Sequence, residues 1–143
     1  EGLALAVSRT PVGVDVEDLT REVDRNLLQA MLTPTEYRRL MRYSLAKRSR
    51  QFLKIWSMKE AYAKLMGLGH SLDFAKIEVS LRKGRLIADG NFPIDTSRLL
   101  SRSVQFHSFA WTRGTAEQWV VVAHEASQRT RVHTRILETP NTK

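Results

Sequence analysis

The sequence predicts an α+β fold in which a small antiparallel sheet packs against one long helix. Short apolar segments with strand-like alternation lie toward both ends of the chain, and the later ones come in pairs separated by turn residues, as in hairpins. Between them, the apolar side chains of residues 47–66 recur at helical spacing. Because such a sheet must bury its apolar face, the long helix is expected to cover it.

The first part of the chain predicts two strands and two helices. Strands are expected at residues 3–7 and 11–17, with a turn between them, and a first helix at residues 20–31. In the second strand, valines alternate with Gly13, Asp15 and Glu17, so the two sets leave opposite faces. Thr33, with a proline after it and a glutamate three positions on, forms a capping box that starts a second helix. We expect that helix to carry Tyr37, Leu40, Met41 and Leu45.

The long helix, residues 47–66, has one apolar stripe and ends at Gly67. The stripe consists of Phe52, Ile55, Trp56, Tyr62, Ala63 and Met66. Further strands are predicted at residues 76–81 and 85–88, and at 104–111 and 118–123, as two hairpins. The polar, basic residues 127–143 are expected to form a flexible tail beyond a single lobe, residues 1–126.

Composition excludes several classes of protein. The chain has 143 residues and 42% apolar residues, as expected of one globular domain. The absence of cysteine excludes disulfide scaffolds, thiolate zinc sites and cysteine nucleophiles. No apolar run approaches the roughly 18–20 residues of a membrane span, and no signal peptide is recognisable, so a cytoplasmic location is the default expectation. The chain starts without methionine inside a predicted strand, and we expect it to be a piece of a longer protein.

The net charge of +8 favours an anionic partner. Nucleic acid, a phosphorylated ligand and an acidic protein all satisfy it, and charge alone does not choose among them. A nucleic-acid-binding module would be expected to interleave aromatic residues with surface basic residues. The tryptophans and phenylalanines instead fall on predicted apolar faces.

Asp15 and Glu17 are the first candidate site residues. Two residues apart on a strand, they leave the same face with Cα atoms roughly 6.6–6.8 Å apart. Like charges this close need a cation or a basic side chain nearby. Oxygen ligands at this spacing suit Mg²⁺ or Mn²⁺. A solvated polar face paired with arginines remains the alternative.

The long helix supplies three further charged candidates. Glu60 and Lys64 are spaced for a helical ion pair, which at a surface would contribute below about 1 kcal/mol. Glu60, however, lies at the border of the apolar stripe, and Lys59 falls near its middle. A lysine in that position must either extend to solvent or meet a buried carboxylate.

Two segments taken together resemble a known family signature. Residues 12–17 (VGVDVE) and 56–64 (WSMKEAYAK) resemble the two-part signature of 4′-phosphopantetheinyl transferases, a Gly-x-Asp-x-Glu strand and then Trp-Ser-x-Lys-Glu-x-x-x-Lys. The combination is highly specific, whereas either half alone is not. The Asp-x-Glu spacing is similar to that of the surfactin-synthetase-activating type. The small trimeric holo-acyl-carrier-protein synthases place their acidic residue one position later.

The resemblance implies a reaction and a set of roles. Family members transfer phosphopantetheine from coenzyme A to a serine of an acyl or peptidyl carrier protein, in fatty-acid, polyketide or nonribosomal-peptide biosynthesis. Asp15, Glu17 and Glu60 match the Mg²⁺ ligands, and Glu60 also matches the proposed general base. Lys64 matches the lysine that contacts the phosphates of coenzyme A. Lys59 matches a motif lysine that we interpret as structural.

The resemblance also predicts what this chain lacks. It covers about residues 3–125 and corresponds to the second half of the two-lobed enzymes, whose histidine for the 3′-phosphate of coenzyme A would come before Glu1. We therefore expect either a missing N-terminal half or self-association. The expected partners are coenzyme A and an acidic carrier protein, with neither membrane nor nucleic acid. A catalytically incomplete half that only binds a carrier protein is the alternative function.

Overall fold

In the computed structural model, which describes residues 4–88, 104–113, 115–126 and 131–134, five antiparallel strands form one sheet. The strands are β1 (Val12–Asp18), β2 (Glu78–Ser80), β3 (Arg85–Ala88), β4 (Val104–Arg113) and β5 (Ala116–Glu125), in the spatial order β1-β5-β4-β3-β2. The helices are α1 (Arg25–Met31), α2 (Pro34–Leu40) and α3 (Leu45–Met66). The predicted α+β fold, an antiparallel sheet packed against one long helix, is confirmed.

The apolar stripe of α3 forms the centre of the core. Phe52, Ile55, Tyr62 and Ala63 are buried, as predicted, while Trp56 and Met66 are partly buried. From the sheet, the core receives Val79, Val104, Phe106, Val121 and Ala123. Gly67 ends the helix in the left-handed conformation, with φ of 68°, which a glycine adopts without strain.

Gly13 allows β1 to lie directly against the backbone of α3. A Cβ atom at this position would be 1.9 Å from the carbonyl oxygen of Ala61 and 2.6 Å from the amide nitrogen of Leu65. Only glycine fits such an approach, because the obstructing atoms are backbone and cannot turn aside. The contact brings the carboxylates that follow on β1 next to the helix.

The register of β1 fixes which side chains face α3. Asp15 lies opposite Val121 and Glu17 opposite Trp119 on β5. Since alternate residues of a strand share a face, Gly13, Asp15 and Glu17 all point toward α3. The valines of β1 point away from it, as the alternation in the sequence predicts.

Two predictions for the start of the chain are wrong. Residues 4–7 of the predicted strand 3–7 form no strand, and Leu5 and Val7 are 83% and 90% exposed. The described sheet pairs β1 with β5 alone, so this segment does not join the sheet. The first helix begins at Arg25 rather than residue 20, because the Asp24 side chain accepts a hydrogen bond from Asn26 N at 2.6 Å and caps it there.

Other element boundaries differ by a few residues. The second helix ends at Leu40, so Leu45 belongs to α3 and is 76% exposed. The strand predicted at residues 76–81 shortens to β2, because Asp73 caps a 3₁₀ turn, Phe74–Lys76, before it. The β4–β5 hairpin is longer than predicted, since its ladder continues to the pair Arg113 and Ala116. Of the predicted tail, residues 131–134 have no helix or strand, and its other residues lie outside the described ranges.

Candidate active site at the contact of β1 and α3

Asp15 and Lys64 form the central ion pair of this contact. Lys64 Nζ donates a hydrogen bond of 2.7 Å to Asp15 Oδ1. Asp15 is 8% exposed, whereas the Lys64 side chain is 47% exposed. The second carboxylate oxygen, Asp15 Oδ2, is buried and has no hydrogen-bond partner among the described residues. The buried carboxylate therefore has one counter-ion and one unused acceptor.

Glu17 shares its surroundings with two other carboxylates. Burial raises the pKa of the Glu17 carboxyl above its ordinary value, and the charges of Asp15 and Glu60 act in the same direction. Arg21, whose Nη2 lies 3.3 Å from Glu17 Oε2, and a hydrogen bond from Trp56 lower that pKa and oppose the rise. The solvated-face alternative thus describes Glu17 in part, since it pairs with an arginine, but not the buried Asp15.

Glu60 lies on α3, half-buried and one turn before Lys64. The surface ion pair between Glu60 and Lys64, the alternative from helical spacing, is not among the ion pairs of the described residues. Lys64 bonds Asp15 instead. Glu60 is consequently left as a carboxylate near Glu17 without a cationic partner in the described part of the chain.

The three carboxylates of the site are chemically suited to a hard cation, although they do not lie close enough together to surround a single ion. Asp15, Glu17 and Glu60 offer carboxylate oxygens, the ligands that Mg²⁺ and Mn²⁺ prefer, and Asp15 Oδ2 is an orphaned buried acceptor. Within the described ranges, no three acidic, histidine or cysteine side chains lie close enough together to hold a metal ion. Asp15 is held by Lys64 in this arrangement. Metal ligation by the three carboxylates therefore stays a prediction.

Lys59 anchors the opposite side of α3. Its ammonium is buried and donates three hydrogen bonds, to Glu36 Oε2 at 2.6 Å and to the carbonyl oxygens of Met31 and Phe74 at 2.8 Å each. Burial lowers the pKa of Lys59, and the Glu36 carboxylate opposes that shift. The sequence-based expectation that Lys59 meets a buried carboxylate is confirmed.

The sequence did not identify Glu36 as that carboxylate. Glu36 was predicted as the capping-box glutamate, and the box is present: Thr33 N donates to Glu36 Oε2 at 3.0 Å. Glu36 Oε1 also accepts from Val79 N at 3.0 Å, and the residue is fully buried. One carboxylate thus caps α2, holds β2 and pairs with α3. A buried lysine signals that such a partner exists, but spacing does not say which acid it is.

The sequence comparisons identify the family of the chain. The profile of the 4′-phosphopantetheinyl transferase superfamily matches residues 11–123. The chain is 34% identical over 104 residues to the L-aminoadipate-semialdehyde dehydrogenase-phosphopantetheinyl transferase of Candida glabrata, covering 70% of this chain and 38% of that one. It is 32% identical over 76 residues to the 4′-phosphopantetheinyl transferase psf-1 of Bacillus pumilus, covering 53% of this chain and 32% of that one. The chain thus spans under two fifths of the length of either relative.

A solved structure agrees in fold. The Chronobacterium ammoniagenes ACPS-CoA complex aligns with a TM-score of 0.52 at 17% identity, covering 81% of this chain and 97% of that chain. The chain belongs to the 4′-phosphopantetheinyl transferase superfamily. Within the superfamily it is of the surfactin-synthetase-activating type, and its partial coverage is consistent with the C-terminal half. No helix of the described residues is both long and apolar enough to cross a membrane.

Proposed function

We propose that this chain is the metal-bearing lobe of an enzyme that transfers 4′-phosphopantetheine from coenzyme A to a serine of an acyl or peptidyl carrier protein. Family membership supports the reaction class. The observation that carries the assignment to particular residues is the contact of β1 and α3. There Asp15 forms an ion pair with Lys64, and the negative charges of Asp15 and Glu60 both raise the pKa of Glu17.

Glu60 is proposed as the general base. The serine Oγ attacks the phosphorus that carries pantetheine, the bond from that phosphorus to the bridging oxygen breaks, and adenosine 3′,5′-bisphosphate leaves. The serine proton passes to the Glu60 carboxylate, which is half-buried and has no cationic partner among the described residues. A base at this position must come within hydrogen-bond reach of the serine hydroxyl.

Asp15, Glu17 and Glu60 are proposed to hold Mg²⁺, or Mn²⁺ in its place. When bound, the ion would neutralise charge that develops on the pyrophosphate of coenzyme A. Lys64, half-exposed beside Asp15, is proposed to contact the phosphates.

The carrier protein is proposed to be acidic. The chain has a net charge of +8, and residues 37–54 contain arginines and lysines but neither aspartate nor glutamate. Complementary charge mainly accelerates encounter and suppresses wrong partners. A cytoplasmic location and the absence of nucleic-acid binding remain predictions.

Transfer can be tested directly by mass spectrometry. An apo carrier protein incubated with the protein, coenzyme A and Mg²⁺ should gain the mass of one phosphopantetheine group. The same carrier with its acceptor serine replaced by alanine should gain none, and a chelator should suppress the gain. The assay uses this chain joined to an N-terminal lobe, because the chain covers only 38% of the Candida glabrata relative. An unmodified carrier under these conditions contradicts the proposal.

The alternative of a catalytically incomplete, carrier-binding half is favoured by that same partial coverage. It predicts that the chain binds the carrier protein by itself without transferring anything. Calorimetry separates the two functions, since a metal-bearing lobe should also bind coenzyme A in a Mg²⁺-dependent manner. A half that only recognises the carrier should not.

A second copy of the chain is proposed to cover the face of the sheet turned away from α3. The strand registers place on this face a set of apolar side chains, none of them fully buried: Val12, Val14, Val16, Phe109, Trp111 and Val122. His107, His124 and Gln118 lie on the same face. Partly exposed apolar side chains grouped in this way mark an interaction site. We expect a dimer or trimer by light scattering at tens of micromolar protein. A monomer at that concentration is the opposing result.

A further inference from the structure

Two histidines on β4 and β5 form a stacked pair outside the candidate active site. The ring centroids of His107 and His124 lie 5.0 Å apart, and the angle between the ring planes is 17°. His107 lies opposite Val122, and His124 lies opposite Val12 at the start of β1. Both rings are therefore on the face of the sheet turned away from α3. Neither has a part in the proposed transfer.

The surroundings of His124 suit a neutral imidazole. The residue is 5% exposed, and its Nδ1 lies 2.7 Å from the carbonyl oxygen of Glu125. Because a carbonyl oxygen only accepts, Nδ1 carries the hydrogen, and Nε2 of the neutral ring has the lone pair. Nε2 is buried and has no hydrogen-bond partner among the described residues. A proton at Nε2 would place a charged N–H group in the interior without an acceptor.

His107 is the exposed member of the pair. Partial desolvation lowers the pKa of His107 below its ordinary value, and the charge of His124 acts in the same direction. Because the rings are stacked, a proton on one ring is not shared with the other through a hydrogen bond. In the described part of the chain, neither ring forms an ion pair with a carboxylate that would favour its charged form.

The strands packed beside the pair do not offer it a negative charge. The cross-strand row through His124 runs from Arg85 on β3 through Gln105 on β4 to Val12 on β1. Arg85 is positive and disfavours a further proton nearby. By alternation, the carboxylate of Glu125 leaves the other face of β5, and β1 presents valines to this one.

We propose that the His107–His124 pair is a pH switch at the start of β1. While both imidazoles are neutral, the row from Gln105 to Val12 closes this end of the sheet. A protonated ring obtains water for its second N–H group only if the end of the ladder opens, so acid separates β1 from β5 there. Asp15 lies three residues after Val12 on the same strand, and the switch therefore acts on the strand that carries the candidate active site.

The switch makes stability depend on pH in one direction. A folded state that binds fewer protons than the unfolded chain loses stability as the pH falls. The loss is absent well above the ordinary histidine pKa of about 6.5, where the rings are neutral in both states, and it grows below that pH. From one unit above this pKa to one unit below it, each imidazole kept neutral by the fold raises the unfolding equilibrium constant about tenfold.

The double variant His107→Gln/His124→Asn removes both titrating rings. Asparagine keeps an amide N–H group that can still donate to the carbonyl oxygen of Glu125. Between the two pH values, the unfolding equilibrium constant of the parent should rise about five- to fiftyfold more than that of the variant. His133→Gln is the matched control, because His133 is exposed and lies outside the sheet. It should follow the parent within about twofold.

Urea unfolding of the chain at the two pH values gives the equilibrium constants, and hydrogen exchange shows where the sheet opens. At the lower pH, the amides of β1 should exchange faster in the parent than in the double variant. The amides of β2, at the other edge of the sheet, should exchange alike in both. Equal acid sensitivity of the parent and the double variant overturns the switch, and so does equal acceleration at β1 and β2.

Two further arms keep the test decisive. If circular dichroism shows the double variant unfolded at the higher pH, His107→Gln alone is compared with the parent, because an exposed position tolerates glutamine. A variant with undiminished acid sensitivity then overturns the switch. All unfolding is measured at two protein concentrations, because the same face is proposed for self-association. An acid effect confined to the higher concentration also overturns it. The inference does not use the transfer reaction, so a failed transfer assay leaves it unaffected.

Discussion

Glu60→Gln is expected to lower the rate of phosphopantetheine transfer by about 10²–10⁴. The substitution keeps the size of the side chain and removes its ability to take a proton from the serine. It also removes one charged oxygen ligand from the proposed metal site, which adds to the loss. The rate is measured as the initial rate of carrier modification by mass spectrometry, with coenzyme A and Mg²⁺ saturating.

The fold should be largely unaffected by this change. Glu60 is half-buried and has no ion pair in the described part of the chain, so an amide can find water there. Glu22→Gln is a matched control, because Glu22 is exposed in the segment between β1 and α1 and has no place in the site. Glu22→Gln should transfer at the parent rate. Transfer at the parent rate by Glu60→Gln would show that both roles assigned to Glu60 are wrong.

The sequence predicts those parts of the site that depend on the periodicity of a single strand or helix. The alternation on β1 places Asp15 and Glu17 on one face, and the stripe of α3 places Lys59 inside the core, and both are as the sequence predicted. The sequence identifies Gly13 only as part of a motif. Its function, to admit the backbone of α3 at Ala61, depends on a contact between distant segments that no local pattern reveals.

The predictions that proved wrong depend on contacts between distant segments, which a local sequence pattern does not reveal. The apolar residues 3–7 resemble a strand, but a strand also needs a neighbour, and the described segment, residues 4–7, has none in the sheet. The pairing of Lys64 with Asp15 instead of Glu60 has the same origin. Helical spacing favours Glu60, whereas the approach of β1 supplies a better buried partner.

Lys59 and Glu36 relate the fold to the site, because Lys59 directly precedes Glu60 on α3. The Lys59 ammonium binds the end of α1 at Met31 O, the carboxylate of Glu36 on α2 and the turn at Phe74 O. Glu36 in turn accepts from Val79 N on β2. These contacts fix the rotation of α3 about its axis, so that Glu60 and Lys64 are presented to β1 on the other side.

Lys59→Met is accordingly expected to lower the free energy of unfolding by about 3–5 kcal/mol. The loss arises because Glu36, fully buried, would keep its charge without a cation, and the carbonyl oxygens of Met31 and Phe74 would lose the hydrogen bond from the ammonium. The double variant Lys59→Met/Glu36→Gln should recover about 1–3 kcal/mol of this, since the buried charge is gone while an amide oxygen can still accept from a backbone N–H.

Urea unfolding, followed by far-UV circular dichroism, measures both values. Lys54→Met is the matched control on the same helix: Lys54 is partly exposed above the Trp119 ring, and its loss should change the free energy of unfolding by about 0.5–1 kcal/mol. If Lys59→Met proves no less stable than Lys54→Met, Lys59 is not the anchor of α3. If the double variant is as unstable as Lys59→Met, the cost does not come from the unpaired charge of Glu36.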